Sequence, residues 1–569
     1  MIRSLGGKVG WARWLVGPAM IAAGCAVGGD PNTFTGTTGT GGASSTTATS
    51  TASGGPGGDF TSGAGGGTGG APPPPSCKVV ENANQNGVPV CIDKAPPNSF
   101  EPAVAWTWTA PPVDPGLVML KGSFTTPLVG NFTDDNGDGA IDLCDTPDVL
   151  VVSIASIGLV GFSPAISRMF LLAGDTGALE VTFAEKVDGY VYPAFGDIDG
   201  DGLPEVVTAD TDGRLVAFEH DGTVKWKGDP GGYRSVNSSS TCSTVAIYDL
   251  DGDGKPEIML GFEVFDNQGH RLFGDPTNAS EFLGQFLCVT GTAADLDGDG
   301  KLEAIFGHEA YHHDGSLYWK LDGFTPGHPH VANLDDDPEP EIFFTNKDGI
   351  TILEHDGTVK FGPLRPTEPD PAVKCWDKPG VVHDFDGDGK AEIGAGTCSD
   401  FTVYEVGPSG LTPKWSQAVF DKSGIATATG FDFLGDGVAE AIYADEKQVY
   451  VFDGLTGAPS MTQKRISATA IEYPVVADVD NDGSAEILYV SNYQDEQGDG
   501  PALTVLRDAG KRWIPARRIW NQYSYHVTNV REDGTIPAKM KKSWQLLNTF
   551  RTNAQISTIG DCDPMLPPK

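Results

Sequence analysis

The chain has 569 residues, a length that suits several domains or one large array of repeats. Its 77 acidic and 38 basic residues give a formal net charge of −39, which argues against a nucleic-acid partner because phosphate binding requires a basic surface. A chain of this charge favours cations as ligands.

The first 25 residues have the order of a secretory signal peptide. Basic residues precede an apolar run at 14–23, which is too short to span a bilayer. The segment 21–25 resembles the lipobox of bacterial lipoproteins, although Ala22 stands where Leu is more common. The resemblance implies lipidation of Cys25, and ordinary signal cleavage nearby is the alternative. We therefore expect export across the inner membrane and lipid anchoring at the cell envelope, on the outer-membrane surface.

Residues 26–76 are rich in Gly, Ser, Thr and Pro and contain almost no large apolar side chain. Such a segment cannot bury enough surface to offset the entropy of ordering it, so we expect a flexible stalk. A lead-in with two cysteines follows at 77–102. Without Cys25 eight cysteines remain, and Cys77–Cys91 and Cys375–Cys398 are the preferred disulfides. The pairing of the others stays open.

One pattern recurs eight times between Asn131 and Glu486: an apolar strand, an acidic loop of the form DxDxDGxxE, and a second apolar strand. Seven of the loops start at 197, 249, 295, 333, 384, 432 and 478, and an Asn-containing copy precedes them at 134–142. A spacing in this range is typical of a propeller or a solenoid.

A second turn follows most loops, as in Asp221-Gly222 and Asp356-Gly357. Asp-Gly between apolar runs predicts a hairpin, so each unit is predicted to contain four short antiparallel strands. Such units form the blades of a propeller. We predict an all-β propeller of about eight blades over 103–515, with seven as the alternative. The Trp-bearing strand at 103–108 precedes the first loop and could close the ring as part of the last blade.

Carboxylates at positions 1, 3 and 5 of a tight turn, with Gly at 6 and an acid at 9, bring hard oxygen ligands to one centre. This chemistry predicts structural Ca²⁺ ions that hold each loop rigid. The alternative is that the Asp-Gly segments are only solvated turns. Leu434 replaces the third carboxylate of one loop, while Asn333 and Pro338 alter another, so we expect these two loops to bind weakly or not at all.

The candidate metal ligands are Asp134, Asn136, Asp138, Asp142, Asp197, Asp199, Asp201, Glu205, Asp249, Asp251, Asp253, Glu257, Asp295, Asp297, Asp299, Glu303, Asn333, Asp335, Asp337, Glu341, Asp384, Asp386, Asp388, Glu392, Asp432, Asp436, Glu440, Asp478, Asp480, Asp482 and Glu486. These loops and the strands after them resemble FG-GAP/VCBS repeats, the units of the integrin α-subunit propeller and of many bacterial surface proteins. The resemblance covers about 103–515. It implies the propeller fold and structural calcium, and it leaves the function open between adhesion, recognition and catalysis.

His308, Glu309 and His312 match the HExxH pattern of zinc proteases, which requires a helix. The repeat places this segment in a strand, so we do not expect a zinc site. His328-Pro329-His330 is interpreted as a loop or a contact between blades.

The C-terminal segment 516–569 differs from the rest of the chain. Residues 511–551 carry nine basic and two acidic residues, and Trp, Tyr and Arg cluster at 513–523. We expect this extension to pack on the acidic propeller, and a ligand or partner site is the alternative. Met540, Trp544 and Phe550 fall near one helical face, which predicts a short helix over 539–551.

Taken together, these features predict a non-enzymatic, monomeric adhesion or recognition module whose ligand is an extracellular protein or carbohydrate. The alternatives are an extracellular polysaccharide hydrolase or lyase and a scaffold subunit of an envelope complex.

Overall fold

Short apolar strands separated by Asp-Gly turns fold into eight four-stranded antiparallel blades around one axis. The computed structural model describes residues 94–96, 99–111, 122–157, 165–231, 241–274, 287–335, 337–370, 372, 375–492 and 500–556. All of them lie in one compact unit, Pro72–Lys569. The predicted signal peptide, Cys25, the stalk and the Cys77–Cys91 pair lie outside the described residues.

In blades 1 to 4, the strands run from the axis outward in chain order. Blade 1 contains β2 (Leu128–Gly130), β3 (Asp148–Ile157), β4 (Ala165–Ala173) and β5 (Leu179–Thr182); blade 2 contains β8 (Ala194–Gly196), β9 (Glu205–Ala209), β10 (Arg214–Phe218) and β11 (Val224–Pro230); blade 3 contains β12 (Thr241–Tyr248), β13 (Glu257–Leu260), β14 (Glu263–Phe265) and β15 (Arg271–Gly274); blade 4 contains β17 (Gly291–Ala294), β18 (Glu303–Phe306), β19 (Glu309–Tyr311) and β20 (Leu317–Lys320). Three further strands, β6 (Val187–Asp188), β7 (Val191–Tyr192) and β16 (Leu287–Val289), pair with β4 or β12.

Blades 5 to 7 repeat this order, and blade 8 joins the two ends of the ring. Blade 5 contains β21 (His328–Ala332), β22 (Glu341–Asn346), β23 (Gly349–Leu353) and β24 (Val359–Leu364); blade 6 contains β25 (Val381–His383), β26 (Glu392–Gly396), β27 (Asp400–Gly407) and β28 (Gly410–Ala418); blade 7 contains β29 (Ala428–Phe431), β30 (Glu440–Ala444), β31 (Gln448–Phe452) and β32 (Pro459–Lys464); blade 8 contains β33 (Val475–Ala477), β34 (Glu486–Val490), β35 (Leu503–Asp508) and β1 (Pro102–Trp108).

The ring closes where β1, the first strand of the chain, pairs with β35 near its end. Trp106 lies opposite Val505, and Trp108 lies opposite Leu503. This confirms that the Trp-bearing strand completes the last blade, and it decides for eight blades over seven in the described chain. The two ends of the ring are thus joined within one sheet, as in propellers that are closed by a strand from the start of the chain.

The hydrophobic core lies between neighbouring blades. The first strands of successive blades adjoin one another around the axis, as β17 does with β21 and β25 with β29. Their side chains and those of the second and third strands are buried, whereas the fourth strands are largely exposed. The continuous apolar runs of the inner strands therefore follow from burial on both faces of each blade.

Two disulfides lie within the described residues. Cys375–Cys398 confirms one predicted pair, and Cys242–Cys288 joins β12 to the parallel strand β16. The sequence left this second pairing open, and its two cysteines lie 46 residues apart. Among the described residues, no helix has the length and apolar character needed to cross a bilayer.

The C-terminal residues 512–556, here called the C-terminal plug, lie across the inner strands of the propeller. Trp520 exchanges two backbone hydrogen bonds with Val129 of β2, and the backbone N–H of Phe195 in β8 donates to Asn521. On the other side of the ring, Phe550 exchanges two such bonds with Val382 of β25. One segment thus connects inner strands on opposite sides of the ring.

The predicted helix over 539–551 is wrong, because the described chain there forms only one 3-10 turn, Ser543–Gln545. Met540 packs against the core between blades 3 and 4, and Trp544 against the core of blades 4 and 5. Phe550 packs into the core of blades 5 and 6. The spacing of these apolar side chains therefore reflects the path of the plug across successive blades. The three side chains do not share one helical face.

Candidate functional site

The eight acidic loops occupy equivalent positions, between the first and second strand of each blade. In blades 2 to 8 the acid at position 9 is also the first residue of the second strand. The loop is therefore fixed at both ends by the sheet. These seven acids are Glu205, Glu257, Glu303, Glu341, Glu392, Glu440 and Glu486.

Backbone amides hold the carboxylates of each loop in place, as blade 6 shows. One oxygen of Asp384 accepts the N–H of Gly387 at 2.8 Å, and its other oxygen accepts the N–H of Gly389 at 2.8 Å. Asp386 and Asp388 each accept a backbone N–H two residues downstream, at 3.2 and 2.9 Å. The turn is thus preorganised by its own aspartates.

The acid at position 9 is held in the same way in blades 2 to 8. One of its oxygens accepts the backbone N–H of loop position 2, as Glu392 does from Phe385 at 2.8 Å. The same bond recurs at 2.6 to 3.0 Å for Glu205, Glu257, Glu303, Glu341, Glu440 and Glu486. Its second oxygen is left to face the loop centre.

The remaining carboxylate oxygens converge. In blade 6, ligand atoms of Asp384, Asp386, Asp388 and Glu392 all lie within 4.8 Å of one another. Blade 2 brings Asp197, Asp199 and Glu205 equally close, and blade 3 does so with Asp249, Asp251 and Glu257. These clusters offer only oxygen donors and could each hold a metal ion.

Buried oxygens without a partner show that the chain itself does not satisfy every loop. In blade 8, Oδ1 of Asp478 and Oε1 of Glu486 are buried and have no hydrogen-bond partner, as is Oδ1 of Asp295 in blade 4. A buried carboxylate oxygen without a donor is costly. The donor set therefore fits a hard cation.

Burial also raises the pKa of the loop glutamates. It brings the pKa of Glu205 and Glu392 to about 7 and that of Glu257 and Glu440 to about 8. Neighbouring aspartates raise the pKa of Glu257 and Glu440 further. Lys225 lowers the pKa of Glu205, and Lys414 lowers that of Glu392, in opposition to burial. A cation at the loop centre would favour the ionised form and lower these pKa values.

The loop of blade 1 departs from the pattern. Asp134, Asn136 and Asp138 form the same amide-bonded turn, with the N–H of Gly137 donating to Asp134 at 2.7 Å. The predicted ninth ligand, Asp142, instead accepts the N–H of Cys144. Two acids outside the predicted ligand set hold this loop instead. Asp148 accepts the backbone N–H of Phe132 at 2.8 Å. Asp145 accepts the backbone N–H groups of Asp135, Asn136 and Asp142.

The two altered loops keep the common frame. In blade 5, Asn333 accepts the N–H of Asp335 through its amide oxygen, and Asp337 accepts that of Glu339. In blade 7, Asp432 accepts the N–H groups of Asp436 and Gly437, and Asp436 that of Val438. Leu434 contributes no oxygen side chain, so the blade 7 loop has one potential ligand fewer.

Basic side chains enter several loops, and the DxDxDGxxE pattern does not include them. The ammonium of Lys225 lies 2.6 Å from Asp199 and 2.9 Å from Glu205 in blade 2. In blade 4, Nδ1 of His312 lies 3.1 Å from Glu303 and 3.7 Å from Asp297. The signal was present in the sequence, since Lys225 and Lys360 stand two residues after the Thr of a DGT hairpin.

The HExxH segment lies in the strand expected from the repeat. Glu309 begins β19, and Lys320 of the neighbouring strand lies 2.9 Å from its carboxylate. His308 and His312 flank the strand at its two ends. His312 belongs to the blade 4 loop, as described above. The two histidines are therefore not presented together on a helix.

A buried polar group lies at the opposite ends of the inner strands. Nδ1 of His328 lies 3.1 Å from the Thr290 hydroxyl, and its Nε2 lies 3.8 Å from Asp377. Burial lowers the pKa of His328 to about 3 and raises that of Asp377 to about 7. Thr290 and His328 are each 1 % exposed, so this group does not offer a nucleophile to a substrate. His328 and His330 lie in β21 and not in a loop. His330 stacks on Phe343 of the same blade, and its Nε2 accepts the backbone N–H of Gly380 at 2.9 Å, next to the first strand of blade 6, which agrees with a contact between blades.

Two arginines of the C-terminal plug share one glutamate within it. Glu532 receives N–H groups from Arg517 at 3.0 Å and Arg518 at 3.1 Å, and all three side chains are buried. Burial alone would raise the pKa of Glu532, but the charges of Arg518 and Arg517 lower it. These three charges are therefore part of the protein interior, whereas Lys539 and Lys541 are exposed.

Comparisons with known proteins agree with this architecture. A family model described as an FG-GAP-like repeat matches residues 168–260, which contain the loops of blades 2 and 3. No curated protein sequence matches the chain. The crystal structure of the V. cholerae biofilm matrix protein Bap1 is similar over 80 % of this chain and 99 % of that chain, with 20 % identity and a TM-score of 0.69.

Two lyase structures are similar at a lower level. A Bacillus licheniformis rhamnogalacturonan lyase, PL11, has 16 % identity over 79 % of this chain and 81 % of its own, with a TM-score of 0.49. The exotype rhamnogalacturonan lyase YesX has 15 % identity over 72 % and 75 %, with a TM-score of 0.47. The likeness to Bap1 extends over the propeller fold, and the likeness to the lyases is too weak to bear on a reaction.

Proposed function

Because this chain carries FG-GAP-like repeats in an eight-bladed propeller, we propose that it is a non-enzymatic, calcium-binding recognition module of the bacterial cell surface. The observation that carries the proposal is the eightfold loop, whose oxygen donors are fixed by backbone amides around a common centre. Calcium accepts six to eight oxygen ligands in flexible geometry, which suits such a set. Asp, Glu and Asn side chains of the loops would hold the ion.

Calcium would supply charge compensation at these loops rather than chemistry. It would bind carboxylates that are already positioned, and in each blade that takes an ion it would thereby tie the first strand to the second. A ligand that binds only the folded state raises the free energy of unfolding. The propeller would then present a rigid surface to a ligand.

Recognition without catalysis is supported by what the described residues bring together. The polar group at Thr290 and His328 is buried, and the HExxH histidines lie at the ends of a strand. The fold likeness to Bap1, a biofilm matrix protein, also favours an adhesive role. We propose an extracellular carbohydrate or protein as the ligand, and lipidation of Cys25 as the anchor.

The proposal is tested on the full chain with calcium and with excess chelator. We expect several bound Ca²⁺ ions by elemental analysis, and a lower midpoint of thermal unfolding after chelation. On arrays of bacterial surface polysaccharides and matrix proteins, we expect retention that requires calcium and leaves the retained molecule intact. Shortened glycan products would instead show a hydrolase or lyase, and a chain without bound metal would refute the calcium role.

Lipidation has its own test, because it does not depend on the propeller. In a bacterial host, the full chain should incorporate a labelled fatty acid, and Cys25→Ser should abolish that label. Cys562→Ser is a matched control and should retain it. A chain that is secreted without label would refute the anchor while leaving the recognition role intact.

A further inference from the structure

A β-bulge recurs in the fourth strand of every blade, and it places one unpaired residue beside the acidic loop. In blade 2, Ala217 pairs with Trp226 and Phe218 with Val224, so Lys225 is left without a partner on β10. A bulge of this kind re-aims one side chain. The unpaired residues of blades 1 to 8 are Glu180, Lys225, Leu272, Tyr318, Lys360, Lys414, Ser460 and Ala105.

In three blades the bulge residue is a lysine whose ammonium lies among the loop carboxylates. Lys225 contacts Asp199 and Glu205, as given above. Lys360 contacts Asp335 and lies 2.8 Å from Glu341. In each case the lysine approaches the acid at position 9 through the oxygen that faces the loop centre.

Blade 6 repeats this arrangement on a longer hairpin. Lys414 contacts Asp386 and lies 3.4 Å from Glu392 and 3.8 Å from Asp388. The Lys225, Lys360 and Lys414 side chains are only 17, 20 and 18 % exposed. Three lysines from separate repeats therefore adopt one arrangement.

Other blades place a different chemistry at the bulge. Leu272 in blade 3 and Ser460 in blade 7 supply no positive charge. In blade 3 the exposed Lys255 lies 3.4 Å from Asp253, and no described basic side chain lies within ion-pair distance of Asp249, Asp251 or Glu257, or of Glu440 in blade 7. In blade 1 the bulge residue is Glu180, which lies within 4.8 Å of Asp135 and Asp148 and adds a carboxylate.

We propose that the bulge residue decides which loops take calcium, and that the lysines of blades 2, 5 and 6 act as built-in cations in its place. This inference rests on the proposed calcium-binding function. The lysine is attached to the same blade, so its ammonium is present at a high effective concentration. A divalent ion would have to displace it from the shared carboxylates against charge repulsion.

The physical consequence is a propeller with two kinds of loop. Loops with a bulge lysine stay closed at any calcium concentration, because their negative charges are already compensated. Loops without any basic side chain among their carboxylates depend on the external ion. Blades 4 and 8 are intermediate, because His312 lies 3.1 Å from Glu303 and Lys511 lies 2.5 Å from Asp482 without occupying the bulge. Calcium would then order part of the ring, chiefly blades 1 and 3, while blades 2, 5 and 6 remain rigid throughout. The blade 7 loop has no bulge lysine, but Leu434 removes one of its ligands, so it would bind calcium more weakly than blade 3.

The test compares the full chain with a triple variant, Lys225→Met, Lys360→Met and Lys414→Met. Bound calcium is measured by elemental analysis after equilibrium dialysis. We expect about two to three more Ca²⁺ ions per chain in the triple variant, since each methionine keeps the apolar stem and removes the competing charge. The lower figure applies if Asn333 and Pro338 keep the blade 5 loop weak. The matched control is Lys227→Met, a lysine of the same strand whose contacts are Glu185 and Asp210, outside the loop.

A reverse substitution keeps the inference testable if the triple variant fails to fold. Leu272 is 52 % exposed, so Leu272→Lys should be tolerated. It should lower the stoichiometry by about one ion, and the blade 3 loop should lose its calcium-dependent protection from amide hydrogen exchange.

The outcomes separate the inference from the proposed function. Equal stoichiometry in the parent chain, the triple variant and Leu272→Lys would overturn the role of the lysines while leaving calcium binding intact. Absence of bound calcium from every variant, including the lysine-free one, would overturn both. A gain of ions in Lys227→Met as large as in the triple variant would show a general charge effect and would also overturn the inference.

Discussion

The acidic loops and the C-terminal plug meet at the same end of the inner strands, yet they stabilise the ring in different ways. Each loop is a local turn of about nine residues, held by amide bonds within its own blade. The plug is one segment that bonds to inner strands across the ring. The backbone N–H of Asp197, the first loop residue of blade 2, donates to Gly534 of the plug, which shows how closely the two regions adjoin.

This difference predicts where the protein is vulnerable. The loops form eight similar units, so the loss of one leaves seven. The plug is unique, and its buried groups depend on one another. We therefore expect changes in the plug to affect the whole ring and changes in a single loop to remain local.

The largest expected effect comes from Glu532→Gln. This change leaves Arg517 and Arg518 buried with no carboxylate between them. Removing one partner of a buried ion pair costs about 3 to 5 kcal/mol. Chemical denaturation should therefore show a loss of stability of this size, with Asp533→Asn, an exposed neighbouring carboxylate, as the control.

The same variant tests whether the plug acts on the entire ring. Amide exchange should accelerate in inner strands of several blades, including β2, β8 and β25, because each bonds to the plug. Faster exchange confined to residues near 532 would contradict a global role. So would a loss of stability no larger than that of the Asp533→Asn control.

Much of the propeller was predictable because its information is local and repeated. The DxDxDGxxE loops and Asp-Gly hairpins identify the strand boundaries, and their spacing identifies the blades. Even the closing strand at Trp106 and Trp108 could be assigned, since every blade needs a fourth strand. The repeat was less informative in blade 1, whose acidic loop is longer than the others. There Asp148, and not the predicted Asp142, accepts the backbone N–H at the start of the loop.

The plug was not predictable in the same way. The spacing of Met540, Trp544 and Phe550 resembles a helical face, but each side chain enters a different gap between blades. Such contacts depend on long-range geometry that no local pattern encodes. The bulge lysines are an intermediate case, because their contacts with the loops follow only once the pairing of the fourth strand is known.

A second prediction separates the two regions by pH. Burial, aided by Arg517, lowers the pKa of His526 in the plug from 6.5 to about 3. The unfolded state then binds more protons, so stability is full above pH 6.5 and is lost as the pH falls toward 3. Burial raises the pKa of Glu440 in the blade 7 loop from 4.5 to about 8, so without calcium stability is full below pH 4.5 and is lost as the pH rises toward 8.

Unfolding midpoints measured from pH 4 to 9, with calcium and with chelator, should resolve the two contributions. Calcium should remove the loss at alkaline pH and leave the loss at acidic pH unchanged. His526→Gln should weaken the acidic loss, and Glu440→Gln should weaken the alkaline loss in chelator. A profile that calcium shifts equally at both ends would contradict the separation.

The smallest effect is expected from a single loop glycine. Gly200 has φ of +82°, and an added Cβ would meet no atom within 4 Å, so Gly200→Ala introduces only backbone strain. This strain costs about 1 to 2 kcal/mol. Gly500 is equally open but has no positive φ, so Gly500→Ala should leave the thermal midpoint unchanged. Because seven other loops remain, Gly200→Ala should speed amide hydrogen exchange in blade 2 alone. Faster exchange around the whole ring would contradict this expectation, since it would show that the loops are coupled to one another as the plug is to the ring.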